Sequence, residues 1–266
     1  KESNARLKAA QGQLIQAAKM ESIGSLAAGA AHEVKNPLAI LQQGVEYISR
    51  GLKSPDPSID MILHEMATAV AKADGVIRGL LDFATLSALN LEVSELPALI
   101  EQALLLVKHP CDLAHVEVVK EFQTGLLPVA VDKNRIEQVL VNLFLNAIQA
   151  MPKGGQLRIK VVAKKLTEVG FQVGRRMGDV FRLGETVVIV NVEDTGSGIR
   201  PGILAKVFDP FFTTKREIGG TGLGLAVVRS IMEMHGGTIH IDNRIEGGVR
   251  ATLMLRTCQE NKERPE

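Results

Sequence analysis

Residues 193–199 read Glu193-Asp194-Thr195-Gly196-Ser197-Gly198-Ile199, and they follow directly on residues 186–192, a run rich in β-branched side chains. That run is a strand by composition. It delivers the Asp194 carboxylate to a strand end, with two glycines just beyond it that let a ligand approach the backbone. Farther along, Gly219-Gly220-Thr221-Gly222-Leu223-Gly224-Leu225 opens an apolar helix expected over residues 226–234. Glycine-rich backbone feeding a helix N-terminus is a natural phosphate cradle. Either loop alone also fits a tight turn; the two together, with the helix described next, point to a nucleotide site. No Gly-Lys-Ser/Thr follows the glycines, so this is not a Walker A loop.

Upstream, Asp132-Lys133-Asn134-Arg135 opens a helix whose apolar side carries Ile136, Val139, Leu140, Leu143, Phe144, Ala147 and Ile148. Asn142 and Asn146 stand one turn apart on it. A buried amide needs partners. The pair reads either as a half-exposed polar stripe or as oxygen donors to Mg²⁺, a hard cation that suits an amide oxygen, waters and phosphates. Between the two glycine loops, Phe208-Asp209-Pro210-Phe211-Phe212-Thr213-Thr214-Lys215 concentrates aromatic residues ahead of a cation. It reads as a hinged lid, anchored by an aromatic plug, with Lys215 reaching phosphates. A hydrophobic turn on the core explains the plug but not Thr213, Thr214 and Lys215.

The remaining strands are expected over residues 115–122, 156–162, 239–242 and 251–255, with a helix over 99–107 started at Ser94-Glu95-Leu96-Pro97. They make a mixed sheet closed by a final hairpin. The connection over residues 163–185 is long for a compact domain and contains Arg175, Arg176 and Arg182. Nothing in its residues assigns it a role.

The front of the chain is helical. Met20, Gly24, Ala27, Ala31, Val34, Leu38, Leu41, Val45, Ile48 and Leu52 step alternately by four and three, which is an a/d seam. Leu7, Ala10, Leu14 and Ala17 form a similar stripe, and the phase slips between Ala17 and Met20. The slip is either an entry point for a twisting signal or a tolerated break. After a turn over residues 53–58, a second seam runs through Ile59, Leu63, Met66, Val70, Ala73, Ile77, Leu80 and Ala84. Two such helices form an antiparallel hairpin. One hairpin leaves too much of its stripe exposed, so two are expected to pair into a four-helix bundle, which makes the protein a homodimer.

Inside the first seam lies Ala30-Ala31-His32-Glu33-Val34-Lys35-Asn36-Pro37-Leu38. His32 is rotated off the seam onto the solvent flank, and Asn36 shares its face one turn on. Pro37 cannot donate to the Glu33 carbonyl, so the helix bends beside the imidazole. A mid-helix proline costs about 3 kcal/mol, and a purely structural coiled coil gains nothing from it. The alternative is a surface histidine on such a coil.

Composition excludes several partners. The 266 residues carry 31 basic against 30 acidic side chains, so neither nucleic acid nor an anionic membrane is expected. Trp is absent and Tyr47 is the sole tyrosine, which leaves few base-stacking platforms. Cys111 and Cys258 are far apart, which argues against a zinc site or disulfide framework and for a reducing, cytoplasmic compartment. No apolar run approaches the roughly 18 residues of a membrane span. A chain that begins at Lys1 rather than Met is expected to be a fragment, so any membrane anchor would belong to segments that precede it.

These motifs resemble those of sensor histidine kinases. AHEVKNPLA is similar to the phospho-acceptor box, in its nitrogen-regulation form HExxNP. DKNRIEQVLVNLFLNAIQAM resembles the Asn box. EDTGSGI, FDPFFTTK and GGTGLGL resemble the first glycine box, the Phe box and the second glycine box of the ATPase fold shared with gyrase and mismatch-repair ATPases. All five occur in family order between about Met20 and Leu255. The resemblance implies an α+β multidomain chain. Residues 1–19 would be a signal helix, 20–90 a dimerisation and phosphotransfer hairpin, 91–258 an α/β sandwich with the Bergerat-type ATP-binding fold, and 259–266 a charged tail.

By the same resemblance, His32 is the phosphorylated nucleophile, Glu33 the base that takes its proton, and Asn36 the group that positions the phosphoryl or a hydrolytic water. Asn146 holds Mg²⁺ with Asn142 nearby. Asp194 accepts from the adenine amino group, flanked by Gly196 and Gly198. Lys215, Gly220, Gly222 and Gly224 serve lid and phosphates, and Thr252 lies near the adenine. The partner implied is a response-regulator receiver domain. Rival readings are a plain ATPase of the same fold and a dimeric scaffold or phosphatase. The last strand departs from the family's GTxFxLxLP, with Val249, Ala251 and Arg256 in place of Thr, Phe and Pro, and the 163–185 connection is atypical.

Overall fold

The structure is a computed structural model that describes residues 34, 37–49, 57–84, 89–168, 173–174, 180–215 and 221–258. His32, Glu33, Asn36 and Gly220 lie outside the described residues, as do the Leu7–Ala17 stripe, the phase slip after it and the tail over 259–266. The chain divides into two compact units, one of Lys1–Ser87 with Pro210–Leu223, the other of Ala88–Asp209 with Gly224–Glu266.

In the first unit, residues 37–49 are helical (α1) and α2 spans Pro57–Ala84. The hexapeptide expected as a turn thus gives up Pro57 and Ser58 to the helix, because a proline's fixed φ suits a first helical turn. Val45, Leu63 and Val70, all seam positions, are buried. Ile40, Leu41, Tyr47, Ile48, Met61, Ile62 and Met66 are exposed on the single chain. Apolar residues therefore occupy more of each helix than one hairpin covers.

The second unit holds β1 (Glu92–Ser94), α3 (Leu96–Leu106), α4 (Lys108–Leu113), β2 (Val116–Phe122), β3 (Val129–Val131), α5 (Lys133–Gln149), β4 (Gly155–Lys165), β5 (Val173–Gly174), β6 (Phe181–Arg182), β7 (Thr186–Glu193), α6 (Pro201–Leu204), α7 (Gly224–Met234), β8 (Thr238–Asn243) and β9 (Val249–Arg256). Five strands make the main sheet, in the order β2-β4-β7-β9-β8. β2 and β4 are parallel and the other neighbours antiparallel. A parallel neighbour requires a crossover, and α5 supplies it. β1 pairs with β3 in a small separate sheet that the sequence pattern did not announce, since strands of three residues carry no periodicity.

Strand alternation sorts the two faces of the main sheet. Leu157, Ile159, Val161, Val188, Val190, Val192, Ala251, Leu253 and Leu255 are buried, while Arg158, Lys160, Asn191, Arg250 and Thr252 stand on the opposite side. α5 contacts β4 and β7, and packs against α3 and α7. Its buried positions are Ile136, Val139, Leu140, Leu143, Phe144, Ala147 and Ile148. Truncating one of the fully buried members, such as Leu140→Ala, costs about 2–5 kcal/mol at a site of this kind.

Asp132 starts α5. Its Oδ1 accepts from the Arg135 amide at 3.2 Å and its Oδ2 from the Asn90 amide at 3.1 Å. Its own amide donates to Nε2 of His235, 3.0 Å away, just past α7. Nδ1 of His235 lies 2.7 Å from the Ile231 carbonyl, so the neutral ring carries its proton on Nδ1. The start of α5 and the end of α7 are joined by this one imidazole.

Candidate active site

Helix α5 is the floor of the site. Asn142, Asn146 and Ala150 fall at i, i+4 and i+8, so they share one face over about 12 Å of helix axis. At one end Gly224, first residue of α7, packs on Asn142. A β-carbon on Gly224 would sit 3.7 Å from Asn142 Oδ1. At the other end Gly196 packs on Ala150, where a β-carbon would come within 2.7 Å of the Ala150 carbonyl oxygen. The half-buried Asn146 lies midway. One helix face thus runs from the Asp194 loop to the N-terminus of α7.

Asp194 is 5% exposed and firmly held. Its Oδ1 accepts from the Gly196 amide at 2.8 Å and the Val249 amide at 3.2 Å, and its own amide donates to the Val249 carbonyl at 2.9 Å. Gly198 has φ +72, a left-handed conformation that a side chain would strain. The Asn243 side chain spans the backbone of Ile199, accepting from its amide at 2.8 Å and donating to its carbonyl at 2.6 Å. Thr195 turns the other way, its hydroxyl oxygen accepting from the Gln156 amide at 3.0 Å. The loop is therefore tied to β4 and to the ends of β8 and β9.

Of the stretch expected to form a lid, residues 210–215 and 221–223 are described, and they contact one another. Gly222 has φ +70, and a β-carbon there would lie 2.7 Å from the Phe211 carbonyl oxygen. Phe211 is itself left-handed at φ 64. The two ends of the lid therefore meet backbone to backbone. Within it, the Lys215 amide donates to Thr213 Oγ1 at 3.0 Å, and the Leu223 amide to Thr221 Oγ1 at 3.3 Å. The expected aromatic plug needs correction at Phe211, which is 48% exposed. Its positive φ turns the ring outward, and it is the backbone that Gly222 contacts. Phe208, before this stretch, is half-buried and has the Arg229 guanidinium of α7 5.8 Å from its ring centroid.

Residues 131–259 match the family described as histidine kinase-, DNA gyrase B- and HSP90-like ATPases. Sensor kinase CckA of Brucella abortus is 32% identical over 96% of this chain and 26% of its own length. The signal transduction histidine-protein kinase AtoS of Escherichia coli is 31% identical over 93% of this chain and 37% of its own. The catalytic domain of histidine kinase ThkA is 30% identical over 63% of this chain and 96% of that domain, with a TM-score of 0.50. The chain belongs to the histidine kinase family. It spans between a quarter and two fifths of CckA and AtoS. ThkA in complex with the response regulator protein TrrA shares the fold, with a TM-score of 0.62 at 24% identity, covering 95% of this chain and 67% of that one.

The donor set fits the family's ligands. Among the described residues no three His, Cys, Asp or Glu side chains form a metal cluster. A Mg²⁺ ion here would rely on the Asn146 amide, phosphates and waters, which is the coordination it favours. Gly196 lets its loop pack against Ala150 of that helix face closer than a side chain would allow, and Gly224 brings the start of α7 against Asn142.

Thr252 is not brought to this loop. Its hydroxyl donates to Asn191 Oδ1 at 2.9 Å, and alternation with the buried Ala251 and Leu253 puts it on the other side of the sheet. Val249, in the place of the family's Thr, meets Asp194 through its backbone amide and carbonyl. Sequence reasoning also missed Asn243, Arg244 and Gly248. Asn243 ends β8, and Arg244 and Gly248 lie in the turn to β9, some fifty residues from Asp194; only the hairpin register brings them back.

Proposed function

We propose that this chain is the catalytic core of an ATP-dependent protein-histidine kinase that phosphorylates His32 and passes the group to an aspartate of a response-regulator receiver domain. The observation that carries the ATP half is the α5 face, with Gly196 and Asp194 at one end, Gly224 at the other and Asn146 between. Adenine lies at the Asp194 end, flanked by Gly196 and Gly198, its amino group donating to the carboxylate, and the phosphates lie toward the start of α7. Mg²⁺ held by Asn146, with Asn142 nearby, would neutralise phosphate charge. Lys215, Gly220 and Gly222 close the lid over the phosphates.

The acceptor half rests on the HExxNP box. A neutral imidazole is competent near pH 7, because its ordinary pKa is about 6.5. Glu33 takes the proton of one ring nitrogen and fixes the tautomer, and the other nitrogen attacks the γ-phosphorus. An N–P bond forms, the bond to the β-phosphate oxygen breaks, and ADP leaves. Asn36 orients the phosphoryl group or a hydrolytic water. The exposed apolar residues of α1 and α2 support pairing of two hairpins into a homodimeric four-helix bundle. ThkA, whose catalytic domain is related to this one, is itself known with the response regulator protein TrrA, which supports the same class of partner here. The compartment we propose is the cytoplasm; no helix among the described residues is long and apolar enough to cross a membrane.

A plain ATPase of the same fold is the competing reading. Incubation with γ-labelled ATP separates the two. A kinase retains label on the protein, whereas steady phosphate release with no labelled protein supports the ATPase.

A further inference from the structure

Arg244 is a cation in an unusual place. Its side chain is 8% exposed, although it sits in a turn. Nη1 donates to the backbone carbonyl of Asp194 at 2.8 Å, and Nη2 to Glu246 Oε2 at 2.7 Å. Nε faces Glu193 Oε2 at 3.7 Å without a hydrogen bond. The other oxygen of Glu193 accepts from Arg250 Nε at 2.5 Å. The Arg244 amide donates to the Gly248 carbonyl at 2.9 Å, which closes the turn. Gly248, at φ +83, presses on the Asp194 carbonyl, whose carbon lies 2.7 Å from where a β-carbon would be. The peptide after Asp194 is thus gripped by a guanidinium and packed against a glycine. The Gly196 amide that holds Asp194 Oδ1 at 2.8 Å lies one residue beyond that peptide, so the grip on the peptide is also a grip on the carboxylate.

We infer that Arg244 is a positioning residue that sets the base selectivity of the nucleotide site by fixing the Asp194 backbone. The inference rests on Asp194 being the acceptor for the adenine amino group. Without the guanidinium, the Asp194 carbonyl loses this donor, and the buried Glu193 carboxylate keeps Arg250 but loses a nearby cation. Buried acceptors left unpaired are costly, and rotation of the peptide toward water relieves them. The Gly196 amide moves with it, and the carboxylate loses the donor that orients it. The phosphate end, at Asn142, Asn146 and Gly224, is held by α5 and α7 and does not depend on this turn. Loss of Arg244 should therefore erode discrimination between bases more than it erodes affinity for triphosphate.

The test compares dissociation constants for ATP and ITP, which differ in the base alone: ITP carries an oxo group in place of the amino group that Asp194 reads, with a proton on the adjacent N1. The native chain should favour ATP by about tenfold or more, and Arg244→Met should bring the ratio to within about threefold. Arg244→Lys keeps a donor for the carbonyl and should return the ratio close to native. If Arg244→Met does not fold, as judged by its thermal transition, Arg244→Gln takes its place. Asp194→Asn is the control. If it leaves the native ratio intact, Asp194 does not read the amino group, and the site reading falls together with the inference. If Asp194→Asn collapses the ratio while the Arg244 variant keeps it, or if Lys does no better than Met, only the role of Arg244 is overturned.

Discussion

The Arg256 guanidinium lies 5.5 Å from the centroid of the Phe181 ring. Its Nε also donates to Glu185 Oε1 at 2.8 Å, and its Nη2 to the Val180 carbonyl. Phe181 is buried with Leu166 and Val187 in a small satellite core. Two departures from the family pattern are therefore one feature. The residue that replaces the family's proline at the end of β9 is the clasp for the long 163–185 connection. Glu185 takes part from the other side, its second oxygen accepting from the Arg182 amide at 2.9 Å.

Arg256→Met should loosen that connection without touching the nucleotide site. The side chain is half exposed, so solvent screens the ion pair, and the expected loss is about 1 kcal/mol. Limited proteolysis should show faster cutting within residues 166–185, with ATP affinity unchanged. A cleavage pattern identical to the native chain's would show that Arg256 does not fasten the loop.

Gly248→Ala should be among the most damaging single-methyl changes in the ATPase unit. The added carbon would be driven into the Asp194 carbonyl from a backbone held at φ +83. Strain and overpacking together cost about 2–4 kcal/mol. Denaturant unfolding should show the loss, and ATP binding should weaken with it. The same substitution at Gly247, also at positive φ but with nothing within 4 Å, should be milder, and equal losses at the two positions would refute the packing argument.

At Gly222 the same change acts on the lid rather than on the sheet. A β-carbon would strike the Phe211 backbone and force apart the two ends of the lid. ATP affinity should fall about tenfold or more while the thermal midpoint moves by only a few degrees. A variant that binds ATP normally would separate the lid neck from nucleotide binding.

Asp132 gives the ATPase unit a defined acid sensitivity. Burial pushes its carboxyl up, but the Arg135, Asn90 and Asn134 amides and the Arg135 charge outweigh that and hold it below its ordinary value. A carboxyl depressed in the folded state stabilises fully above its unfolded value of about 3.9. The contribution is lost as pH falls through the lower folded value. Asp132→Ala should cost about 1 kcal/mol at pH 7, and less at pH 3 and below. Unfolding at both pH values measures this; a penalty that does not shrink in acid would mean that the charge plays no part.

The sequence is most informative where one element carries its own signal. The apolar face of α5 could be read from Ile136 to Ile148 because a helix repeats every turn, and β7 because its β-branched run ends abruptly at Asp194. The α+β architecture follows from those elements. What was hidden depends on residues that meet only after folding. Arg244 reads as an ordinary polar turn residue until the β8–β9 register carries it to Asp194. Thr252 reads as a neighbour of the adenine until strand alternation turns it toward Asn191. Phe211 reads as a plug because aromatic composition cannot report a left-handed φ.

The most direct measurement is to incubate the chain with γ-labelled ATP and Mg²⁺ and map the bound label by peptide mass, beside Asn146→Asp and His32→Gln. The expected result is acid-labile, base-stable phosphate on His32. Asn146→Asp should lack it because Mg·ATP binds poorly, and His32→Gln should lack it while still binding ATP. Label of the same stability retained by His32→Gln, or found on another side chain, would contradict the account.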